Sequence, residues 1–420
     1  MAAAAAPRRV LIAGAGIAGP VVAYWLGRAG IRSTLIERAP DLRTSGQTLD
    51  INGVARQVVE RMGLTSAIKA ACTGEKGTLI VDENDRTRAT LPVGFGPTNE
   101  YEIVRHLLSE VFYGASKDST EYIFNDSITS IVETDSEAVV SFASGAPDRA
   151  FDAIVAADGI HSSTRSLVFD RDSSEVTYVP MGTHSAYFSV PSRPEEDGIW
   201  SKWCFLPGRR SIWLRPTGSS SEAPAMLANL LTRDAESQRR LKGYRHLSQV
   251  GQKALFEDFF ANSGWKAERI LAGLDAADDF YIQEIAQIKA SQWSKGRVVL
   301  VGDAAYSPSP FSGMGTSCAI TGAFILGNEL AKRDQSVSQA FAAYERLVRP
   351  HVEKCQADAI GPSLANFLLP ETSWGLTRLF AVLGTVSAVV NSPIKRLLAL
   401  LGGEGQEDEK IVLPDYPHTR

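Results

Sequence analysis

Apolar and polar positions fall into blocks of changing period along this chain. Near the start, RVLIAG is a short apolar run, Ile17 to Gly30 repeats its apolar positions at helical spacing, and STLIER is a second apolar run. That order predicts strand, helix, strand, with the helix closed at Ala29-Gly30. Asp41 to Asp50 reads as a polar loop and NGVARQVVERMGL as a helix. TLIVDEND and TRATLPV predict a hairpin around Asn84-Asp85. YEIVRHLLSEVFYGA repeats its apolar residues every three or four positions, as a helix does. SITSIVETDSEAVVSFASG then reads as a second hairpin leading into the apolar strand FDAIVAADG.

From Val176 to Pro216, the runs GTHSAYFSVP, KWCFLPG and RRSIWLRP predict an antiparallel sheet. Residues 222–263 read as helical, with RILAGLDAADDF after them. The stretch GRVVLVGDAAYSPSPFSGMGTSCAITGAFILGNEL then returns to a buried strand, a stiff glycine-punctuated loop and a long helix. Strand–helix patterns thus bracket a β-rich middle, which points to one interleaved α/β fold and not to separate beads. The C-terminal segment TRLFAVLGTVSAVVNSPIKRLLALLGG is the most apolar of all. Its uncharged run from Leu379 to Val390 is too short to span a bilayer, so a buried or capping helix pair is expected and membrane contact is disfavoured.

With 420 residues the chain exceeds one ordinary core. A net charge of −5 leaves no basic stripe for phosphate neutralisation, so no nucleic-acid partner is expected. Cys72, Cys204, Cys318 and Cys355 form no CxxC pair, and the six histidines show no HxxxH spacing. A reducing, cytoplasmic location and no bound metal are the expectations. The alanines before the Arg8-Arg9 pair lack the order of a signal peptide.

The first chemical motif is VLIAGAGIAGPVVAYWLGRAGIRSTLIER, which places Gly14, Gly16 and Gly19 between a strand and a helix. Gly14 permits a tight turn, Gly16 lets a pyrophosphate reach the backbone, and Gly19 lets helix and strand pack closely. The helix N-terminus offers free N–H groups to that pyrophosphate, and Glu37 closes the second strand where it can bind ribose hydroxyls. This predicts a dinucleotide site without separating FAD from NAD. In FDAIVAADGIHSSTRSLV, Asp158 follows a strand, a pattern equally suited to a helix cap. In the third motif, Gly302-Asp303 ends a buried strand, poised for a ribose or ribityl hydroxyl. Gly313, Met314 and Gly315 then deliver backbone N–H groups at a helix N-terminus.

Together and in this order, GAGIAG…ER, AADG…STR and GDAAYSPSPFSGMG resemble the class A flavoprotein monooxygenases of the para-hydroxybenzoate hydroxylase fold. The resemblance covers residues 8–350, and is nearest to the tetracycline-inactivating and fungal natural-product branch. It implies a Rossmann-like FAD-binding domain in two parts, 1–175 and 286–355, interleaved with a substrate-binding β-sheet domain, 176–285. A C-terminal helical segment, 356–420, would complete the chain. It implies that Gly14, Gly16 and Gly19 hold the FAD pyrophosphate while Glu37 and Arg38 flank the adenosine ribose. Arg43, Asp50 and Arg105 would approach the flavin, Asp158 would sit by the nucleotide, and Asp303 would bind the ribityl or pyrophosphate portion. Pro310 would border the reactive edge, with Gly313 to Gly315 along the pyrimidine ring. Read alone, Arg38 and Arg43 are equally solvated surface residues, and Asp50 equally a helix N-cap. Tyr306 stands where the family commonly has histidine, and Leu107 where an aspartate is frequent.

The implied reaction uses NADPH or NADH to reduce FAD, then O₂ to form a C4a-hydroperoxyflavin that passes one oxygen to an aromatic or polycyclic substrate. Baeyer–Villiger insertion or epoxidation would use the same residues, and a non-redox flavin-fold binding protein is the alternative of another class. No second strand–GxGxxG–helix unit follows residue 160, which argues against a separate Rossmann domain for the nicotinamide. Tyr187, Phe188, Trp203, Phe205, Trp213 and Arg215 come from the β-rich middle, and period 2 pairs Trp203 with Phe205 and Trp213 with Arg215. They suit either an aromatic pocket in which Arg215 orients a phenolate or enolate oxygen, or ordinary sheet packing.

Overall fold

The computed structural model describes residues 8–170, 174–218, 225–359, 362–392 and 411–417. The chain opens with β1 (Val10–Ala13), α1 (Ala18–Arg28), β2 (Ser33–Glu37) and β3 (Thr48–Asp50). Helices α2 (Val54–Arg61) and α3 (Thr65–Ala71) lead to the hairpin β4 (Gly77–Val81) and β5 (Thr87–Pro92). The short β6 (Glu102–Val104) runs directly into α4 (Arg105–Ser116), followed by β7 (Thr120–Phe124). Next come β8 (Ile128–Glu133), β9 (Ala138–Phe142), β10 (Arg149–Phe151), β11 (Ala153–Ala156) and α5 (Ser163–Val168).

The middle comprises β12 (Val176–Pro191), α6 (Pro194–Asp197), β13 (Ser201–Leu206), β14 (Arg210–Pro216) and β15 (Ala225–Thr232). Helices α7 (Ala235–Leu241), α8 (Gln249–Phe260) and α9 (Ala267–Ala276) precede β16 (Tyr281–Ala290), β17 (Ser294–Lys295) and β18 (Val298–Leu300). The chain closes with α10 (Asp303–Tyr306), α11 (Gly315–Ala331), α12 (Val337–Ala357), α13 (Pro362–Leu368) and α14 (Ser373–Val390).

A six-stranded sheet has the order β17-β18-β11-β1-β2-β7, parallel except for β17. Its central strands are short apolar runs buried on both faces, as a parallel sheet requires. Helices α1, α11 and α12 cover one face, and the small sheet β10-β9-β8 covers the other. At Gly327 a Cβ would meet Trp25 Cβ at 3.0 Å and Val22 O at 3.2 Å, so the bare backbone lets α11 lie close on α1.

A seven-stranded sheet has the order β16-β12-β15-β14-β13-β4-β5. Helices α8 and α9 bury one face with Phe256, Phe260, Ile270 and Leu274. On the other face, Leu369 of the α13–α14 connection and Leu376 and Leu379 of α14 pack on Ile80, Leu91 and Phe205.

Several sequence expectations change. The hairpin β4–β5, placed within the first domain, joins the seven-stranded sheet through parallel pairing of β4 with β13. Within residues 1–175 this inserted hairpin thus belongs to the second sheet, and β16 carries that sheet past residue 285 to Ala290. Residues 225–232, read as helical, are a strand between β12 and β14. The all-apolar run AMLANLLT carries no periodicity that could separate a buried strand from a helix. The first residues of the expected 101–115 helix pair instead as β6 with β3.

At the C-terminus, α13 and α14 do form, but α14 is mostly exposed and not buried: only 17% of it lies inside the protein. Trp374 is 69% exposed and Val382 45%. Among the described residues α14 is the one helix long and apolar enough to cross a membrane. The remainder of the expected helix pair, residues 393–410, lies outside the described residues.

Candidate functional site

Three connections that leave the C-terminal ends of β1, β11 and β18 converge. After β1, Gly14 takes φ +107° and its N–H donates to Ile36 O at 2.8 Å. A Cβ there would lie 2.6 Å from Ala157 O, and one at Gly19 would run into Gly14 O. Both glycines are explained by the protein's own packing. Gly16 is different, because its nearest foreign atom would be Arg105 Nη2 at 3.8 Å. The space outside it is left for something else. Glu37 accepts from Ala15 N–H at 2.8 Å and from Ala39 N–H at 3.0 Å, which fixes its carboxylate beside the turn.

After β18, Gly302 turns the chain with φ +64° and Asp303 starts α10. Burial raises the pKa of Asp303, and the positive charge of Arg105 opposes that rise. Arg105 begins α4, with its N–H donating to Gln47 O at 3.1 Å. Its stem lies against Gly46, where a Cβ would come within 2.7 Å of Arg105 Cβ. Arg105 thus reaches from the 46–50 segment toward both Gly16 and Asp303.

Beyond α10, Ser309 adopts φ +77° and ψ 153°, a region that glycine normally holds. Such a conformation costs on the order of 1–3 kcal/mol. Its buried hydroxyl has no partner, while its carbonyl accepts from Ser312 Oγ at 2.8 Å. This turn holds Pro310 exposed. Gly313, in the left-handed region, has no atom within 4 Å of a built Cβ, and Gly315 none closer than 3.9 Å. Met314 caps α11, its N–H bonded to Ser312 Oγ at 3.1 Å.

Other expected site residues are engaged differently. Asp158 packs its backbone against Gly14, but its carboxylate accepts from Ser162 Oγ and from Thr164 N–H at 3.0 Å. It thereby braces the start of α5, whose N-cap is Ser162. Arg38 and Arg43 are both exposed. Partial desolvation, then the charges of Arg105 and Arg38, lower the pKa of Arg43.

Arg215 is 6% exposed and is taken up by Glu75, at 2.9 and 3.1 Å, and by Glu102 at 2.5 Å. Its Nε and Nη2 are the atoms so engaged. Asp50 pairs with Glu102 across β3 and β6, and one of its oxygens is buried without a partner. Burial, then the Glu102 charge, push its pKa up to about 8 against the pull of Arg215. Burial thus favours the protonated form of Asp50.

Tyr306 turns away from this site into the core. It stacks obliquely on Trp293 at 4.4 Å, and its hydroxyl bonds with that of Tyr344 at 3.0 Å. Gly322 leaves room for that hydroxyl. Leu107 packs against the same main core.

The two faces of the seven-stranded sheet divide the aromatic residues. Phe188 belongs to the core beneath α8 and α9, and is no pocket residue. On the opposite face Trp203 and Trp213 stack at 4.4 Å and 8°, Phe205 lies 4.6 Å from Trp203, and Arg215 covers the Trp213 ring. Trp203 and Phe311, the residue after Pro310, pack on one cluster there. Trp213 Nε1 donates to Ser201 Oγ, but Trp203 Nε1 is buried with no partner. Tyr187 stacks on Tyr281, whose hydroxyl donates to Gln47 Oε1 at 2.5 Å.

A cationic region adjoins the Asp158 turn. Arg245 donates to His161 Nε2 at 2.5 Å, and burial followed by Arg245, Arg165 and Arg38 pushes the His161 pKa down to about 4. Beside it lies a hollow of about 420 Å³, lined among others by Arg239, Lys242, Arg245 and His246.

With this geometry in hand, the chain can be compared with known proteins. The family described as FAD binding domain matches residues 8–359. Monooxygenase CTB7 of Cercospora beticola is 34% identical over 98% of this chain and 98% of its own. FAD-dependent monooxygenase asL6 of Sarocladium schorii is 32% identical over 97% and 98%. The crystal structure of tetracycline destructase Tet(55) superposes with a TM-score of 0.76 at 27% identity, covering 98% of this chain and 99% of that one. The chain belongs to the FAD-binding family and is a class A flavin-dependent monooxygenase. The non-redox alternative is set aside. The residues present fit the cofactor, since Gly16, Gly313 and Gly315 leave open exactly those backbone approaches that packing does not require.

Proposed function

We propose that this monooxygenase takes electrons from NADPH or NADH and places one oxygen atom of O₂ on an aromatic or polycyclic, natural-product-like molecule. Hydroxylation of an electron-rich carbon is the outcome the site favours. FAD, when bound, supplies the redox chemistry that activates O₂. The protein's part is to bind, orient and exclude water.

Gly16 and the N-terminal amides of α1 would receive the pyrophosphate, and Glu37 the adenosine ribose. Asp303 and Arg105 would hold the ribityl portion between opposite charges. The amides of Gly313 to Gly315 at the start of α11 would meet the electron-rich end of the ring system, with Pro310 at its edge. Asp50 can hold a proton beside this loop. The Arg38, His161 and Arg245 region offers fixed positive charge suited to the phosphates of the nicotinamide dinucleotide.

The observation that carries the substrate reading is the stacked Trp203–Trp213 pair with the unpartnered Trp203 Nε1, on the face that Phe311 also contacts. A flat apolar wall with one buried donor suits a planar molecule carrying an oxygen acceptor. The similarity to tetracycline destructase Tet(55) supports a polycyclic ligand.

The test is NADPH and NADH oxidation by the FAD-loaded protein against a panel of phenolic and polycyclic compounds, with products weighed. A substrate that stimulates oxidation and gains one oxygen is expected. Trp203→Phe should raise its KM about 10-fold, the worth of one hydrogen bond, without loss of FAD. No stimulation and no oxygenated product across the panel would sink the reading.

A further inference from the structure

The fold assembles a cluster that has no place in the flavin chemistry. His351 and Cys355 sit four residues apart on α12 and so share one helix face. Cys318 faces them from α11, one turn beyond Gly315. The three donor atoms lie within 4.8 Å of one another, with Cys355 Sγ 3.8 Å from His351 Nε2. Both thiols are buried and His351 is half-buried, so the imidazole marks the solvent side.

The geometry points to a three-ligand site for a thiophilic d¹⁰ cation, Zn²⁺, formed by Cys318 of α11 with His351 and Cys355 of α12. Zinc–sulfur bonds of about 2.3 Å and a zinc–nitrogen bond of about 2.0 Å need donors roughly 3.5–3.8 Å apart, a spacing that Cys355 Sγ and His351 Nε2 already have at 3.8 Å. The donors stand on two packed helices, which favours a metal over a ligand set on loops. Water would take the fourth position. The Cys355 thiol is pushed down to about 5 by its hydrogen bond with Cys318, and then by His351. Hydrogen bonding to Cys355 and burial raise Cys318. Binding takes both sulfurs as thiolates, any thiol proton passes to solvent, and no electron transfer is involved. A bound cation would tie the start of α11, which carries Gly315, to α12.

The test titrates Zn²⁺ alone into the reduced, FAD-loaded protein against a chromophoric chelator. One Zn²⁺ per chain is expected, bound more tightly as pH rises. Cys355→Ser and His351→Ala should each weaken binding by about 100-fold while leaving FAD content unchanged. Cd²⁺ should give a sulfur-to-metal charge-transfer band that Cys355→Ser lacks. Equal Zn²⁺ affinity in the wild type and in Cys318→Ser/Cys355→Ser would overturn the site. So would a reduced protein that takes up no Zn²⁺ but oxidises to a Cys318–Cys355 disulfide.

Discussion

The nucleotide end of the six-stranded sheet and the aromatic face of the seven-stranded sheet handle polarity in opposite ways. At the first, recognition rests on backbone: turns, helix N-termini and side chains that are missing. Its charged members, Glu37 and Arg105, are braced by main-chain contacts, and Arg105 extends to within 3.8 Å of a Cβ built at Gly16. At the second, charge is spent internally. One guanidinium, that of Arg215, serves Glu75 and Glu102, with Asp50 close by. Arg215 there braces two buried carboxylates. What distinguishes the two is whether a charged group's partners are already in the protein.

The largest expected effect tests that strut. Arg215→Met should cost about 3–5 kcal/mol of stability, because two buried carboxylates lose their counter-charge. Thermal or urea unfolding would check it. A stable variant with only a raised KM would return Arg215 to substrate binding.

Next comes a contrast within the glycine loop. Gly19→Ala drives a methyl group into Gly14 O and should cost about 1–3 kcal/mol. Gly16→Ala has room in the protein and should leave stability within about 0.5 kcal/mol, yet weaken FAD binding. Equal stability losses at both positions would erase the distinction drawn between them.

The third effect is in pH. Asp50 has its pKa raised to about 8 in the fold, through burial and Glu102, against the opposing Arg215 and Asn99. A raised value means its contribution is complete below the unfolded value, near 3.9, and is lost as pH rises through about 8. Melting temperature should therefore fall across that window. Asp50→Asn, always neutral, should flatten the slope, and an unchanged slope would count against the shift.

Legibility in the sequence followed the range of the interactions. The β1–α1–β2 unit and its three glycines are local, so period and spacing revealed them. So did the Asp158 turn, where the bland helix-cap alternative describes the observed carboxylate. Arg215 could not be read, because Glu75 and Glu102 come from distant segments and the partnership exists only once β4, β6 and β14 are assembled. Phe188 and Tyr187 differ by one position and therefore face opposite cores, which alternation alone cannot assign to a pocket. Ser309 carries no sign of strain in its identity, although the Pro308 and Pro310 flanking it mark a stiff turn. The spacing of His351 and Cys355 is visible in the sequence, but Cys318 joins them only once α11 packs on α12. The outward face of α14 reads as core because its apolar residues exceed what one packed side can hide.

The parallel pairing of β4 with β13 has a kinetic consequence. It joins residues 77–81 to residues 201–204, and the six-stranded sheet likewise waits for residues 298–300 beside β11. The seven-stranded sheet needs β16, which ends at Ala290, and the six-stranded sheet needs β18, which ends at Leu300, so both closures come late and join strands far apart in sequence. A nascent chain of about 290 residues would present β11 as an unpaired apolar edge. Folding of this protein should accordingly be slow, late and dependent on whatever shields that edge during synthesis.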